Sequence, residues 1–347
     1  MPAYAIEGLT VAFGGEDTGR PALSGVGFQV AAGELLVVLG RTGSGKTTLL
    51  RTMAGLQRPG EGRIFEEGPA ENGSAENARI DISGLPPHKR DMAMVFQNFS
   101  LYPRMSVREN LSFPLRARAL GLPTSEIGSR VAEAAAALGL TDKLDRRPHE
   151  LSGGEMQRVA IGRALVRRPK LFLMDEPLAS LDAKLRERMV VEIRRLQRSL
   201  GCAMIYVTHD HVEAMSLADR ILVLDRGKVL QTGPPEDIYR QPIDSRVARM
   251  LGRPAINLLT CDQAGRLGLP LSGKRMVGIR PESWRVTADP AGPAFAAVVE
   301  HLGPQVALVL DVQGTVLRVT AAPGLRAKVG DRFRLGVDPA GIIYIER

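Results

Sequence analysis

The chain has 347 residues, of which 44% are hydrophobic and 24% charged, and its formal net charge at pH 7 is +8. This length exceeds one ordinary core and the composition excludes a disordered chain, so a large folded domain with a smaller second one is expected. The positive charge alone leaves nucleic acid, an anionic membrane surface and a polyphosphate ligand open as partners, besides a merely solvated surface.

The sequence contains no recognisable transmembrane segment or signal peptide. The clearest apolar runs, such as Leu35–Leu39 and Leu171–Met174, have the length of strands, whereas a membrane-spanning helix needs about 18 apolar residues or more. The N-terminal residues lack the basic and apolar blocks of a signal peptide, and Cys202 and Cys261 lack metal-ligand spacing. These features predict a protein of the reducing cytosol that would act at a membrane only through other subunits.

The first part of the chain reads as strands, followed by a polar segment. Strands are predicted at Tyr4–Phe13, Gly25–Val30 and Leu35–Leu39. Residues 60–84 are rich in Glu, Gly, Ala and Asn and show no apolar period. That composition predicts a surface loop.

From about residue 107 the pattern becomes helical, and from about residue 171 short apolar strands alternate with helical segments. Helices are predicted at Val131–Leu138, Glu155–Val166, Ala183–Ser199 and His211–Leu217, and strands at Leu171–Met174, Ala203–Val207 and Arg220–Leu224. Strands and helices that alternate in this way predict a mostly parallel sheet with helices on both faces.

After about residue 241 the character of the chain changes again. Short strands are predicted at Ala296–Glu300, Ala307–Val312 and Val316–Thr320, with Gly and Pro between them and little helical period. The sequence therefore predicts a large domain over residues 1–240 and a small all-β domain over residues 241–347.

A glycine-rich loop follows the strand predicted at Leu35–Leu39. Its spacing is Gly, four residues, Gly, Lys and Thr, and a helical pattern begins directly behind it. In such a loop backbone N–H groups turn towards phosphate oxygens, the helix start adds positive potential, the Lys neutralises the β- and γ-phosphates and the Thr ligates Mg²⁺. Because strand and helix are both in place, the motif predicts an ATP site. The residues expected at the nucleotide are Gly40, Arg41, Thr42, Gly43, Ser44, Gly45, Lys46, Thr47 and Thr48.

Two adjacent carboxylates, Asp175 and Glu176, end the apolar strand that begins at Leu171. The carboxyl ends of parallel strands form the ligand-facing edge of such a sheet. There we expect Asp175 to hold Mg²⁺ through water, and Glu176, which points the other way, to act as the general base on the attacking water. The pair read by itself has an alternative interpretation as helix-capping acids before Pro177.

Two further polar residues follow strands at the same edge. His209 comes directly after the strand Ala203–Val207 and its Thr208, where it could hydrogen-bond the γ-phosphate, and Gln97 ends a short apolar run, where its amide oxygen could bind Mg²⁺ or the water. Each has an ordinary structural alternative, which is a helix cap or a packed ring for His209 and a turn cap for Gln97.

A second helix is predicted to begin within residues 151–158, whose sequence is Leu-Ser-Gly-Gly-Glu-Met-Gln-Arg. Its N-terminus is suited to bind an anion, and the chain already has one such N-terminus behind the phosphate loop. At this octet the sequence resembles the ATP-binding-cassette (ABC) family, whose signature it matches. In that family the signature of one subunit caps the γ-phosphate held by its partner. The resemblance therefore implies a homodimer and assigns Ser152, Gly153 and Gly154 to the nucleotide that the second copy binds.

The resemblance covers almost the whole chain. Each remaining motif of the family has a counterpart in order, namely the adenine-stacking aromatic at Phe13, the Q-loop at Gln97, the Walker B pair at Asp175 and Glu176, the D-loop that ends at Asp182, and the switch histidine at His209. A buried strand aromatic is an alternative for Phe13. The catalytic residues implied are Glu176, His209 and Lys46, and the Mg²⁺ ligands implied are Thr47, Gln97 and Asp175.

Residues 87–103 resemble the importer branch of the family that includes the maltose and glycerol-3-phosphate transporter ATPases. Residues 278–282 and 299–303 are similar to the C-terminal OB-like, TOBE-type regulatory domain of that branch. The fold implied is an α/β P-loop cassette with a mostly parallel sheet, an antiparallel β subdomain and a helical subdomain at about residues 98–168, followed by a small all-β OB-like domain. Arg41 stands where many relatives have Pro, and the acidic stretch at residues 66–77 looks longer than usual.

The function implied is that of the ATP-binding subunit of an importer, in which a homodimer sandwiches two MgATP and couples hydrolysis to uptake of a carbohydrate, a polyol or glycerol-3-phosphate. The partners implied are integral membrane permease subunits, which would contact the region from Gln97 to Leu115, and indirectly a solute-binding protein. The chain would lie peripherally on the cytoplasmic face of the inner membrane.

Two alternatives stay open beside this reading. The C-terminal domain either binds a small regulatory ligand or a signalling protein, or only enlarges the dimer contact. A cassette ATPase that acts on nucleic acid or ribosomes is compatible with the basic charge, but such proteins usually carry two cassettes, a zinc module or a long coiled coil, and the sequence shows one cassette without the others. No nucleic acid partner is therefore expected.

Overall fold

The computed structural model describes residues 3–12, 20–68, 78–117, 120–273, 275–303, 305–322 and 324–346. Contacts between residues divide the chain into two compact units, Met1–Pro234 and Pro235–Arg347. The domain boundary expected between residues 240 and 241 stays a prediction. Phe13 and residues 69–77 of the acidic stretch lie outside the described residues.

The first unit contains a four-stranded antiparallel sheet near its start. In spatial order the strands are β2 (Leu23–Val30), β1 (Ala3–Val11), β4 (Glu61–Gly68) and β5 (Ala78–Asp81). The prediction of a loop over residues 60–84 is wrong for β4 and β5. Only Ile64 of β4 is fully buried, so this strand lacks the apolar alternation by which a strand is recognised.

A six-stranded sheet forms the centre of the same unit. Its spatial order is β10 (Lys228–Gly233), β9 (Arg220–Asp225), β3 (Leu35–Leu39), β8 (Ala203–Thr208), β7 (Leu171–Asp175) and β6 (Met92–Val95). All neighbours are parallel except β9 and β10. Every residue of β3, β7 and β8 is buried, as expected of parallel strands covered on both faces. The predicted mostly parallel sheet is therefore confirmed.

The helices of the first unit follow the predicted order. They are α1 (Lys46–Met53), α2 (Val107–Ser112), α3 (Thr124–Ala137), α4 (Gly153–Leu165), α5 (Ala183–Leu200) and α6 (His211–Leu217). Helix α1 shares one hydrophobic core with both sheets, through Leu49, Leu50 and Met53. In the described part of the chain, no helix has the length and apolar character that a bilayer span requires.

The second unit is built mainly of strands, as predicted. A three-stranded antiparallel sheet consists of β11 (Asn257–Leu259), β12 (Met276–Ile279) and β18 (Ile342–Ile345), and a five-stranded one has the order β13 (Trp284–Ala288), β17 (Arg332–Val337), β14 (Ala294–Leu302), β15 (Gln305–Val312) and β16 (Thr315–Ala321). The unit also contains short helices that the sequence analysis did not predict, α7 (Pro235–Arg240), α8 (Ser245–Met250) and α9 (Cys261–Arg266). Helices of six residues are too short to show an apolar period.

Candidate functional site

The predicted phosphate loop connects β3 to α1 and turns tightly. Gly43 and Gly45 have φ of 79° and 105°, a region that other residues rarely adopt. A Cβ at Gly40 would lie 2.3 Å from the carbonyl oxygen of Leu224. Glycine is therefore required at these three positions by the conformation of the loop itself, and α1 begins directly behind it at Lys46.

Two buried polar groups of the loop indicate what it holds. The hydroxyl of Ser44 is buried and has no hydrogen-bond partner in the described part of the chain. The ammonium of Lys46, only 4% exposed, donates to the carbonyl oxygens of Gly40 at 2.9 Å and Arg41 at 3.1 Å. An unpartnered buried donor is costly, and a phosphate oxygen in the loop would satisfy it. The loop therefore fits the β- and γ-phosphates of a nucleotide.

Thr47 and Asp175 meet beside the loop. Thr47 is the second residue of α1, and its hydroxyl donates a 3.0 Å hydrogen bond to Oδ1 of Asp175, the last residue of β7. Burial raises the pKa of the Asp175 carboxyl, and the hydrogen bond from Thr47 opposes the shift. Hydroxyl and carboxylate oxygens are ligands that Mg²⁺ prefers, so the two residues fit the predicted metal role.

Glu176 bridges two other predicted site residues. Its Oε1 lies 3.3 Å from Nζ of Lys46, and its Oε2 lies 2.9 Å from Nδ1 of His209. The backbone of Glu176 has a φ of 44°, a strained conformation for a residue with a side chain, and such strain clusters at functional sites. The structure thus brings the three predicted catalytic residues into direct contact.

The structure does not favour a helix-capping role for Asp175, Glu176 or His209. Helix α5 is capped by Asp182, whose Oδ1 accepts from the backbone N–H of Leu185 at 3.0 Å, and not by Asp175 or Glu176. Helix α6 is capped by Asp210, not by His209. Gln97 lies two residues beyond β6 with its side chain exposed and in no hydrogen bond among the described residues.

The signature residues lie at the start of α4. Ser152 caps this helix, because its hydroxyl accepts from the backbone N–H of Glu155 at 3.3 Å. In return, its own backbone N–H and hydroxyl donate to Oε2 of Glu155, at 2.8 Å and 3.0 Å. A Cβ at Gly154 would lie 2.9 Å from the side chain of Leu185 on α5, so glycine lets the two helix starts pack closely. No hydrogen bond or ion pair among the described residues joins Ser152, Gly153 or Gly154 to residues 40–48. The expectation that they act on a nucleotide of a second copy is compatible with this placement.

Sequence reasoning missed two charged residues next to this site. Arg186, on α5, donates to the carbonyl oxygen of Leu181 at 2.8 Å, and Glu213, on α6, is buried and accepts hydrogen bonds from Tyr206 and Thr208. Charged residues on helices usually face solvent, so their sequence positions gave no signal. Glu213 lies only four residues after His209 in the sequence, but it is on α6 while His209 precedes the helix cap Asp210.

Comparisons with known proteins identify the family of the chain. The model of the ABC transporter family matches residues 23–179, and the model of the TOBE domain matches residues 277–345. The sn-glycerol-3-phosphate import ATP-binding protein UgpC 1 of Rhizobium johnstonii is 42% identical over 338 residues, which cover 92% of this chain and 88% of that protein. The trehalose/maltose import ATP-binding protein MalK of Thermococcus litoralis is 42% identical over 346 residues, covering 91% of this chain and 90% of that protein.

A solved structure resembles the first unit in fold. It is the dimeric structure of a post-hydrolysis state of the ATP-binding cassette MJ0796 bound to ADP and Pi, with a TM-score of 0.56 and 28% sequence identity, covering 67% of this chain and 98% of that chain. Sequence relatives this similar over most of the chain, together with the cassette fold, establish the family. The chain belongs to the ABC transporter family and is one of its ATP-binding, ATP-hydrolysing subunits.

Proposed function

We propose that two copies of this chain bind two MgATP between them, and that hydrolysis drives an importer for sn-glycerol-3-phosphate or a sugar. The observation that carries the catalytic part is the contact of Glu176 with both Lys46 and His209 beside the phosphate loop. The relatives named for import of sn-glycerol-3-phosphate and of trehalose and maltose support the transport part.

In this proposal Glu176 is the general base. It takes a proton from the water that attacks the γ-phosphorus, while the bond from the γ-phosphorus to the bridging oxygen breaks and ADP leaves. Lys46 leaves the carbonyl oxygens of Gly40 and Arg41 for the phosphate oxygens, and His209 donates to the same phosphoryl group.

The proposed Mg²⁺ ligands are Thr47 and Asp175, with Gln97 as a third oxygen donor. The 3.0 Å contact between the first two supports their place in one coordination site. When bound, Mg²⁺ neutralises charge on the β- and γ-phosphate oxygens. The side chain of Gln97 is exposed and in no hydrogen bond among the described residues.

The second copy supplies the signature residues. Ser152, Gly153 and Gly154 would cap the γ-phosphate of the opposite subunit, with Asp182 beside the contact. Support comes from the exposure of Ser152 at the start of a thirteen-residue helix, because such a helix start favours an anion. The solved cassette dimer that resembles the first unit also supports a dimer.

The proposed contact for the permease subunits is the segment from Gln97 to Leu115. Its exposed aromatic residues, Tyr102 and Phe113, lie with ring centroids 4.5 Å apart and are 37% and 44% exposed. An aromatic pair at a surface is suited to receive a helix of a partner. On this proposal the chain is peripheral on the cytoplasmic face of the inner membrane, and a solute-binding protein delivers the cargo to the permease.

Reconstitution tests the proposal as a whole. The full chain would be combined in proteoliposomes with the permease and solute-binding protein of its own transport system, and ATPase activity measured with each candidate solute. We expect sn-glycerol-3-phosphate or a sugar to raise the rate severalfold and to accumulate inside. Full ATPase activity without stimulation by any phosphate ester or sugar would overturn the assigned cargo, and absence of ATPase activity would overturn the catalytic assignment.

A further inference from the structure

Arg186 donates hydrogen bonds to the loop between β7 and α5. Its Nη2 donates to the carbonyl oxygen of Leu181 at 2.8 Å, and its Nε donates to that of Leu178 at 3.4 Å. Leu181 directly precedes Asp182, the cap of α5 at the proposed dimer contact. The position of this loop is therefore tied to one guanidinium group.

The same guanidinium faces the segment that carries His209. Its Nε lies 3.7 Å from Oε1 of Glu213, and its Nη1 lies 3.8 Å from Oδ2 of Asp210. Glu213 is 5% exposed, and burial raises the pKa of its carboxyl. Arg186 thus contacts the loop before α5 and both acidic residues at the start of α6.

Glu213 in turn fixes the strand end before His209. Its Oε2 accepts hydrogen bonds from the hydroxyls of Tyr206 and Thr208, each at 2.8 Å. The backbone N–H of Asp210 donates to the Thr208 hydroxyl at 3.0 Å. The residues on both sides of His209 are thereby held by one buried carboxylate.

A small cavity joins these groups to the candidate base. It has a volume of about 40 Å³, and Glu176 and His209 line it together with Arg186, Thr208, Asp210 and Glu213. A displacement of Arg186 or Glu213 therefore changes the shape of the cavity that the Glu176 and His209 side chains also line. Misplacement of reacting groups by about 1 Å can cost on the order of 100-fold in rate.

We infer that Arg186 and Glu213 are positioning residues that link the Asp182 loop to His209 and Glu176. The inference rests on the proposed function, because it assumes that the Asp182 loop meets a second copy and that Glu176 is the base. When the second copy contacts the loop, the carbonyl groups of Leu178 and Leu181 move, and Arg186 moves with them because it donates to both. The movement of Arg186 displaces Glu213, which shifts the end of β8 directly before His209. No hydrogen bond or ion pair among the described residues joins Arg186 or Glu213 to the phosphate loop at residues 40–48.

The test compares Glu213→Gln, Arg186→Gln and Arg186→Lys in the full chain. The single oxygen of the Glu213→Gln side chain can still accept from Tyr206 and Thr208, which turns the amide N–H₂ towards Arg186 in place of a carboxylate oxygen. We expect kcat for ATP to fall at least about tenfold, while KM and the affinity for a slowly hydrolysed ATP analogue stay within about twofold. Arg186→Lys keeps the charge but cannot reach both loops at once, so it should not restore kcat.

A double variant and a matched control complete the experiment. Because the two residues act in one connection, Arg186→Gln combined with Glu213→Gln should lose no more activity than the more affected single variant. Arg195→Gln, at an exposed arginine of the same helix, should keep the parent kcat. Thermal unfolding of each variant identifies any loss that comes from misfolding, and if Arg186→Gln does not fold, Glu213→Gln decides.

The possible results separate this inference from the proposed function. An inactive parent chain would contradict the proposed function. An active parent with kcat unchanged in Glu213→Gln would overturn the positioning role alone. Rescue of kcat by Arg186→Lys would likewise overturn it, because that result indicates a simple charge effect. A loss expressed only in KM would also overturn it, because that result indicates an effect on ATP binding.

Discussion

Oε2 of Glu176 lies 2.9 Å from Nδ1 of His209, so the candidate base and the candidate γ-phosphate sensor share one hydrogen bond. An ionised carboxylate only accepts hydrogen bonds, which places the donated proton on Nδ1 of the imidazole. Donation from the other ring nitrogen, Nε2, to a phosphate oxygen then requires a second proton on the ring, because an Nε2 without a proton only accepts hydrogen bonds. This pairing orients both side chains before a nucleotide binds.

The first prediction concerns Glu176 itself. Glu176→Gln keeps the size of the side chain and removes the basic carboxylate, so ATP should still bind while turnover falls at least about 100-fold. Binding of a fluorescent ATP analogue and steady-state phosphate release check the two parts separately. Near-normal turnover would remove Glu176 from the role of base.

The second prediction concerns the Mg²⁺ ligands. Thr47→Ala removes the hydroxyl that contacts Asp175, so the Mg²⁺ concentration needed for half-maximal ATPase activity should rise by about tenfold or more. Thr47→Ser keeps the hydroxyl and is the matched control. An unchanged Mg²⁺ requirement in Thr47→Ala would mean that this hydroxyl is not a ligand.

Arg90 provides a prediction about stability. It is 3% exposed and donates to the carbonyl oxygens of Thr52 and Met53 at the end of α1, at 2.8 Å and 2.6 Å, and to those of Ser83 and Leu85. Arg90→Ala leaves these carbonyls without their donor, which should lower the free energy of unfolding by about 3 kcal/mol. Urea unfolding measures the change, with the exposed Arg58→Ala as control. Equal losses in both variants would contradict this account.

The buried Glu213 gives a pH dependence with a definite sign. Because burial raises the pKa of its carboxyl in the native state, ionising it costs stability once the pH exceeds the ordinary value of about 4 for a glutamate. Glu213→Gln carries no such cost. The variant should therefore gain stability relative to the parent as the pH rises from about 4 through the higher native pKa, and the difference should be constant below that range.

Urea midpoints of both chains across this pH range check the prediction. The parent chain must be measured at each pH, because other groups titrate in the same range and only the difference isolates Glu213. A difference that is independent of pH, or that falls as the pH rises, would show that Glu213 is not held in an unfavourable environment.

The cysteines offer a simple check of burial. Cys202 is buried, which raises the pKa of its thiol to about 11, whereas Cys261 is partly exposed. The thiolate is the reactive form, so a disulfide reagent at pH 8 should label one thiol of the native chain quickly and the second only after unfolding. Cys261→Ser should abolish the fast phase, and a fast phase that persists would place Cys202 in contact with solvent.

Local motifs explain which parts of the site could be predicted from the sequence. The phosphate loop was recognisable because its glycines are required by the turn itself, and Asp175 and Glu176 because they end a fully apolar strand. Strands β4 and β5 were missed because β4 packs one side chain into the core and exposes or half-exposes the others. Arg186 and Glu213 were missed for a different reason, since their contact with each other depends on the packing of α5 against α6.

The cap of α4 bears on how a dimer of these chains would assemble. In the single chain, the hydroxyl and backbone N–H of Ser152 already hold an anionic oxygen, that of Glu155. We expect an incoming phosphate to replace this resident acceptor instead of filling a bare helix end. Such an exchange keeps the net free energy gained per hydrogen bond small. We therefore expect the two subunits to separate again after each round of ATP hydrolysis.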